Sequence, residues 1–196
     1  MLPALNIGKL AKLKNNIASQ AKDLYKMGNG SMPIISSEPS ATLMLKTEWP
    51  KLNGQEVVKT IAKNTKDASE FLLEQMDSEH FKLKFKSLKK SIAYHQPCHQ
   101  RVLSKTSSSL KLLSRLKDVS VHDLDAGCCG MAGTYGMFND TRQNSLKMAD
   151  GLSKKLADKN YDYISSDCTT CRLQLASISK HKDIKHPLQI LADILI

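Results

Sequence analysis

The sequence predicts an α/β fold: a parallel sheet flanked by helices, with cysteine loops at the carboxyl edge of the sheet. Three observations carry this expectation. From residue 91 onward a strand, a loop and a helix follow one another three times, and parallel neighbours need crossover connections of this kind. All five cysteines fall on the same type of junction, at the carboxyl end of a predicted strand and just before or within the first turn of a helix. The middle junction, Gly127-Cys128-Cys129-Gly130-Met131-Ala132-Gly133-Thr134-Tyr135-Gly136, holds two of the five cysteines and four of the nine glycines.

Composition sets the frame. The 196 residues are enough for one good domain, or one domain plus a fragment, with an ordinary core. An apolar fraction of 41% and a charged fraction of 24% are those of a soluble globular protein. No apolar run approaches the roughly 20 residues needed to span a bilayer. Met1 to Lys14 lacks a continuous apolar core and a small-residue cleavage site, so no secretory signal is expected and the cytoplasm is the default compartment. The net charge of +10 is spread widely, with a run at Lys82, Lys84, Lys86, Lys89 and Lys90 and a lysine-rich first 26 residues. A basic face reads first as a solvated surface, and otherwise suits anionic lipid or an acidic partner. Aromatics are only 5% and no helix-turn-helix, zinc-finger or RNA-recognition motif occurs, which argues against nucleic acid.

The elements follow in order. Residues 6 to 27 place Ile7, Leu10, Leu13, Ile17, Ala21 and Leu24 at helical spacing, with lysines opposite and Gly28-Asn29-Gly30 as the stop. Pro33 to Ser37 reads as a strand. Ser40 is placed to cap a helix through Leu43, Met44 and Leu45 that ends before Pro50. Gly54 to about Met76 reads as helix with a break near Asn64, and 78 to 90 as a basic connection with a short strand at Phe81 to Phe85. The three repeats are then Ser91 to Tyr94 with a helix from Arg101 to Leu116, Val119 to Leu124 with a helix from Asp140 to Lys159, and Tyr161 to Ser165 with a helix to about Ser179. Pro187 opens a last helix to Leu195.

In a parallel sheet all strand ends of one kind share an edge, and open α/β folds bind ligands there. Five thiols are therefore expected in one pocket. Adjacent Cys128 and Cys129 cannot easily form a disulfide with each other and are more naturally two ligands to something inorganic. Glycines around them let the backbone approach a cofactor. An odd cysteine count in an intracellular chain points the same way.

The spacing is 29 residues from Cys98 to Cys128, none to Cys129, 38 to Cys168 and two to Cys171. Zinc would use four tetrahedral ligands and leave one thiol over. A dithiol at Cys168 and Cys171 would leave three without purpose. Iron–sulfur clusters routinely consume four or more thiolates. Zinc stays open as the alternative cofactor. His95 and His99 flank Cys98 closely enough to donate to sulfur or carry a proton, while capping or loop packing would serve either equally. His80, His122, His181 and His186 read as structural or solvated, Tyr135 as a packing residue and Arg172 as a surface residue.

At Tyr94-His95-Gln96-Pro97-Cys98-His99, Cys128 to Gly136, Ser166 to Leu175 and His186 to Leu195, the chain resembles the cysteine-rich CCG domain. The resemblance is nearest to the anaerobic glycerol-3-phosphate dehydrogenase C-subunit type, within a group that includes the heterodisulfide reductase B subunit. It implies one [4Fe-4S] cluster, of the non-cubane kind, on Cys98, Cys128, Cys129, Cys168 and Cys171, with Gly127, Gly130, Gly133 and His99 as the cofactor-binding residues beside them. The implied function is electron transfer from a flavoprotein dehydrogenase subunit toward quinone. The chain would then be an oxidoreductase subunit, not catalytic alone, peripheral on the cytoplasmic face of the inner membrane. Two other functions stay open: the C-terminal part of an FAD-linked 2-hydroxy acid oxidase acting on lactate, glycolate or 2-hydroxyglutarate, and a zinc-stabilised interaction module without redox activity.

Members of the group carry two such domains in tandem. Residues 1–52 here resemble a remnant of the first, with Ala41 where the group has a cysteine; 53–90 would be a helical, basic connection and 91–196 the complete domain. Alanine cannot bind iron, so one cluster is expected, in a truncated or split copy of a longer subunit.

Overall fold

The computed structural model describes residues 7–78, 82–181 and 183–196. It divides into two compact units, Met1–Phe71 and Leu72–Ile196.

In the first unit, helix α1 (Leu10–Met27) buries Leu13, Ile17 and Ala21, one residue per turn on a single stripe. That stripe packs on Met44, Trp49, Val58 and Ile61. Residue 6, where the helix was expected to start, lies outside the described residues. Strand β1 (Ile34–Ser36) is followed by helix α2 (Pro39–Leu43), whose cap position is Glu38 rather than Ser40. Proline at the first helical position fixes the entry two residues earlier than the serine would. The chain then continues through a π-helical turn (Met44–Glu48) into α3 (Trp49–Leu52). Pro50 does not end the helix, because in a first turn its missing N–H is not needed. Helix α4 (Glu56–Asn64) runs into β2 (Thr65–Asp67), which pairs in parallel with β1, and α5 (Ala68–Asp77) then begins in the first unit and ends in the second. The expected break near Asn64 is thus a strand. Thr65-Lys66-Asp67 has no apolar alternation to announce it; pairing with β1 makes it one.

The second unit is built on a three-stranded parallel sheet, in which β3 (Lys90–Tyr94) lies between β4 (Val119–Asp123) and β5 (Tyr163–Ser165). Alternate residues of β3 serve opposite faces. Ile92 and Tyr94 join a core with Leu112, Leu113, Ile190, Leu191 and Ile194, from helices α7 (Ser108–Ser114) and α11 (Pro187–Ile194). Ala93 joins another core with Leu152, Leu156 and Leu175, from α9 (Asp150–Ala157) and α10 (Thr169–Ile178). The sheet is parallel and flanked by helices, as the sequence predicts.

Two expected helices are split. Arg101 to Leu116 becomes α6 (Cys98–Leu103) and α7, because Ser104 turns extended and the Ser107 hydroxyl caps the second piece by accepting from Leu110 N–H at 3.2 Å. Asp140 to Lys159 becomes α8 (Arg142–Met148) and α9, separated at Ala149. Phe81 and His80 lie outside the described residues, and of the strand expected there the described part shows an antiparallel bridge between Phe85 and Leu195.

Candidate metal centre

The sheet register explains why the cysteines meet. Tyr94 of β3 stands opposite Asp123 of β4 and Ser165 of β5, so all three strands leave the sheet abreast. Cys98 then comes four residues after Tyr94, Cys128 five after Asp123 and Cys168 three after Ser165. Short exits of nearly equal length deliver their thiols to one place.

Cys98 is the first residue of α6 and exposed, at the rim. Its thiol is pushed up by desolvation and by the neighbouring sulfurs of Cys128, Cys129 and Cys168, while the N–H of His99 pulls the other way. Cys129 and Cys171 lie inside, at 4% and 3% exposure, with their sulfurs 3.1 Å apart. Either sulfur can donate to the other, and this contact holds the Cys129 thiol down and pushes that of Cys171 up. Cys168 is the buried N-cap residue of α10, within hydrogen-bonding distance of Thr170 Oγ1 at 3.2 Å. With Cys171 in the first turn, α10 directs its N-terminal dipole at two thiols, which opposes the contact with Cys129 and the burial that push Cys171 up. Five sulfurs from three loops thus converge, and three of them belong to the core behind the sheet.

Cys128 and Cys129 differ from expectation in one respect. They do not precede a helical turn directly; the chain loops through residues 130–134 to a single 3-10 turn, Tyr135–Met137, before α8 begins. Gly130 and Ala132 have φ of +84° and +42°, which a right-handed helix cannot accommodate. Gly130 is also a point of contact, since a Cβ there would lie 2.1 Å from the carbonyl oxygen of Ser145. Its N–H donates to Cys128 Sγ at 3.2 Å. Gly127 and Gly133 have open space around them, so their role is conformational. The side chain of His99 is half-buried.

The loops are held by groups whose part in the site the sequence does not announce. Arg172, expected at the surface, donates to the carbonyl oxygens of Ser166 at 3.0 Å and Asp167 at 2.9 Å, and so pins the turn that carries Cys168. Asp167 is buried and bonded to Ser109 and, at 2.6 Å, to the hydroxyl of Tyr94; burial pushes its carboxyl up. Gln174 on α10 donates to Ser145 Oγ at 3.1 Å and accepts from Arg142 at 2.6 Å, tying α8 to α10. Adjacent polar residues at a loop are common, and nothing in their spacing signals these bonds. His186 caps α11, accepting from Leu188 N–H at 3.0 Å, and His122 lies edge-on to Tyr161, both structural as expected. Tyr135 is largely exposed and does not pack in the core.

His95 is the other residue brought in. It is 1% exposed, neither ring nitrogen has a hydrogen-bond partner, and a ring nitrogen lies within 4.8 Å of Cys129 Sγ and Cys171 Sγ. Soft thiolates beside an imidazole without partners are a donor set for a thiophilic metal or an iron–sulfur cluster. The residues present fit such a group.

Residues 92–176 match the family model of the cysteine-rich domain CCG. The C subunit of anaerobic glycerol-3-phosphate dehydrogenase from Escherichia coli strain K12 is 30% identical over 173 residues, 86% of this chain and 42% of that protein. The D subunit of the dihydromethanophenazine:CoB--CoM heterodisulfide reductase of Methanosarcina acetivorans is 30% identical over 136 residues, 66% of this chain and 32% of that one. D-2-hydroxyglutarate dehydrogenase of Pseudomonas putida is 25% identical over 186 residues, 94% of this chain and 17% of the enzyme. The chain therefore spans less than half the length of these relatives. No solved structure matches.

Proposed function

We propose, from the premise that residues 92–176 are a cysteine-rich domain of the CCG family, that the chain is an iron–sulfur electron-transfer subunit or part of one. The observation that carries the reading is the convergence of five thiols from three strand exits on one sheet edge. Cys98, Cys128, Cys129, Cys168 and Cys171 would hold a single [4Fe-4S] cluster of the non-cubane kind, which when bound supplies one-electron transfer.

The chain's own residues do the rest. Cys129, Cys168 and Cys171 keep one side of the group dry, and the N–H groups of Gly130 and His99 address sulfur. Cys98 at the rim faces solvent, where a redox partner would approach. That partner, in this reading, is a flavoprotein dehydrogenase subunit of the glycerol-3-phosphate type, with quinone as the onward acceptor. Among the described residues no helix is long and apolar enough to cross a membrane; the +10 charge supports a peripheral contact with an anionic surface. A second reading, favoured by a 2-hydroxyglutarate dehydrogenase relative aligned over 94% of this chain, makes it the equivalent part of an FAD-linked 2-hydroxy acid oxidase.

Anaerobic purification or reconstitution followed by iron and acid-labile sulfide analysis tests the proposal. About four iron and a similar amount of sulfide per chain are expected, with clear loss in Cys129→Ser. Stoichiometric zinc with no iron or sulfide after reconstitution would instead establish the zinc-stabilised module.

A further inference from the structure

We infer that His95 is a sixth donor of the site, its imidazole nitrogen binding metal on the side of Cys129 and Cys171. The inference rests on the metal-group reading above and adds a nitrogen to an otherwise all-sulfur set.

The position of the ring is determined by the fold. His95 is the first residue beyond β3, and its backbone is fastened to the exit of β5 on both sides. Its N–H donates to the carbonyl oxygen of Ser165 at 2.9 Å, and its own carbonyl accepts from Ser166 Oγ at 2.9 Å. Pro97, two residues on, restricts the chain where it turns toward Cys98. The side chain thus enters the pocket from a rigid base.

Its surroundings favour a ligand role for the ring. A neutral imidazole carries one N–H and one lone pair, and folded proteins rarely bury both without partners. Both nitrogens of His95 are buried and unpartnered. A structural histidine would be expected to bond to a carbonyl or hydroxyl, as His186 does in capping α11. A ring nitrogen lies within 4.8 Å of the sulfurs of Cys129 and Cys171, and after Cys171 the imidazole helps to hold the Cys129 thiol down. Ligands of one ion, with metal–nitrogen and metal–sulfur bonds of about 2.0 and 2.3 Å, are separated by at most about 4.5 Å. The nitrogen and the two sulfurs lie within 4.8 Å of one another, close to that limit before any metal draws them in. Imidazole and thiolate together suit iron or zinc, and replacing sulfur by nitrogen ligands raises the potential of an iron–sulfur centre.

The test uses the full chain labelled with 15N-histidine, reconstituted with iron and sulfide and reduced to a paramagnetic state. Pulsed EPR should detect a nitrogen coupling of the strength of a directly bonded imidazole. It should vanish in His95→Gln and survive replacement, one at a time, of His80, His99, His122, His181 and His186. The survival series assigns the signal even where His95→Gln does not fold. Iron and sulfide bound without such a coupling, or a coupling that persists in His95→Gln, overturns the inference and leaves the electron-transfer reading intact. A chain that binds no iron defeats that reading instead. The donor question is then answered by Co2+: the visible bands of the complex should shift in His95→Gln, and unchanged bands in the folded variant overturn the inference.

Discussion

The hydroxyl of Tyr94 shows how much a single buried residue can decide. It stands 2.6 Å from Asp167 Oδ2, 2.6 Å from Ser107 Oγ and 2.7 Å from Gln100 Oε1, all of them buried. Its proton goes to the carboxylate, the strongest acceptor of the three, and desolvation keeps the phenol protonated by pushing its pKa up. Asp167 immediately precedes Cys168, so the bond holds one cysteine loop against the strand from which another departs. Tyr94→Phe conserves the shape but removes a donor from a buried carboxylate, and a loss of about 1–3 kcal/mol is expected. Urea denaturation measures it; a variant with the wild-type midpoint and slope would mean that Asp167 is satisfied without the phenol. The residue is read from sequence as an ordinary strand aromatic, since nothing local tells that its tip meets a side chain 73 positions away.

Among the elements, the contact that sets β5 beside β3 is made at their starts. Asp162, just before β5, accepts from the N–H of Ser91 at 2.8 Å, from its hydroxyl at 3.0 Å and from Lys90 Nζ at 2.9 Å. The Ser91 N–H, with Lys90 and the Ser91 hydroxyl behind it, holds the Asp162 carboxyl down at about 2 instead of 3.8. A folded-state value below the unfolded one stabilises the fold above the unfolded value, and that contribution disappears as pH falls through the folded value. Asp162→Asn should therefore lower the denaturation midpoint at pH 7, and the gap to wild type should close between roughly pH 4 and pH 2. A gap that is constant over this range would assign the effect to the hydrogen bonds rather than the charge. The helices teach a related lesson. Periodicity locates α1, α10 and α11 well because each buries a continuous stripe, whereas the breaks at Ser104 and Ala149 come from local bonding that periodicity does not register.

For the second unit as a whole, the site and the core are one structure. Cys129, Cys168 and Cys171 sit in the same apolar cluster as Ala93, Leu152, Ile164 and Leu175. A group bound by these thiolates in the folded state alone must raise the stability of the fold by mass action. The reconstituted protein should melt higher than the metal-free chain, by several degrees or more, and anaerobic chelation should reverse the shift. Leu175→Ala, which opens a cavity in the same cluster, should cost about 2–5 kcal/mol and weaken metal retention together with stability. Melting that is identical with and without the group would place the thiols outside the cooperative core.

The sequence by itself determined the fold class, the three strand-loop-helix repeats and the edge on which all five cysteines fall. Those follow from periodicity and connection length, which are local properties of the chain. The resemblance to the CCG domain, read from the same motifs, agreed with the family match at residues 92–176. The strand Thr65–Asp67, the looped course after Cys129, the anchoring by Arg172 and the approach of His95 to Cys129 and Cys171 were decided only by tertiary structure. Each depends on a partner distant in sequence. A strand exists only when another pairs with it, and a buried polar side chain acquires its role from whatever the fold brings to meet it.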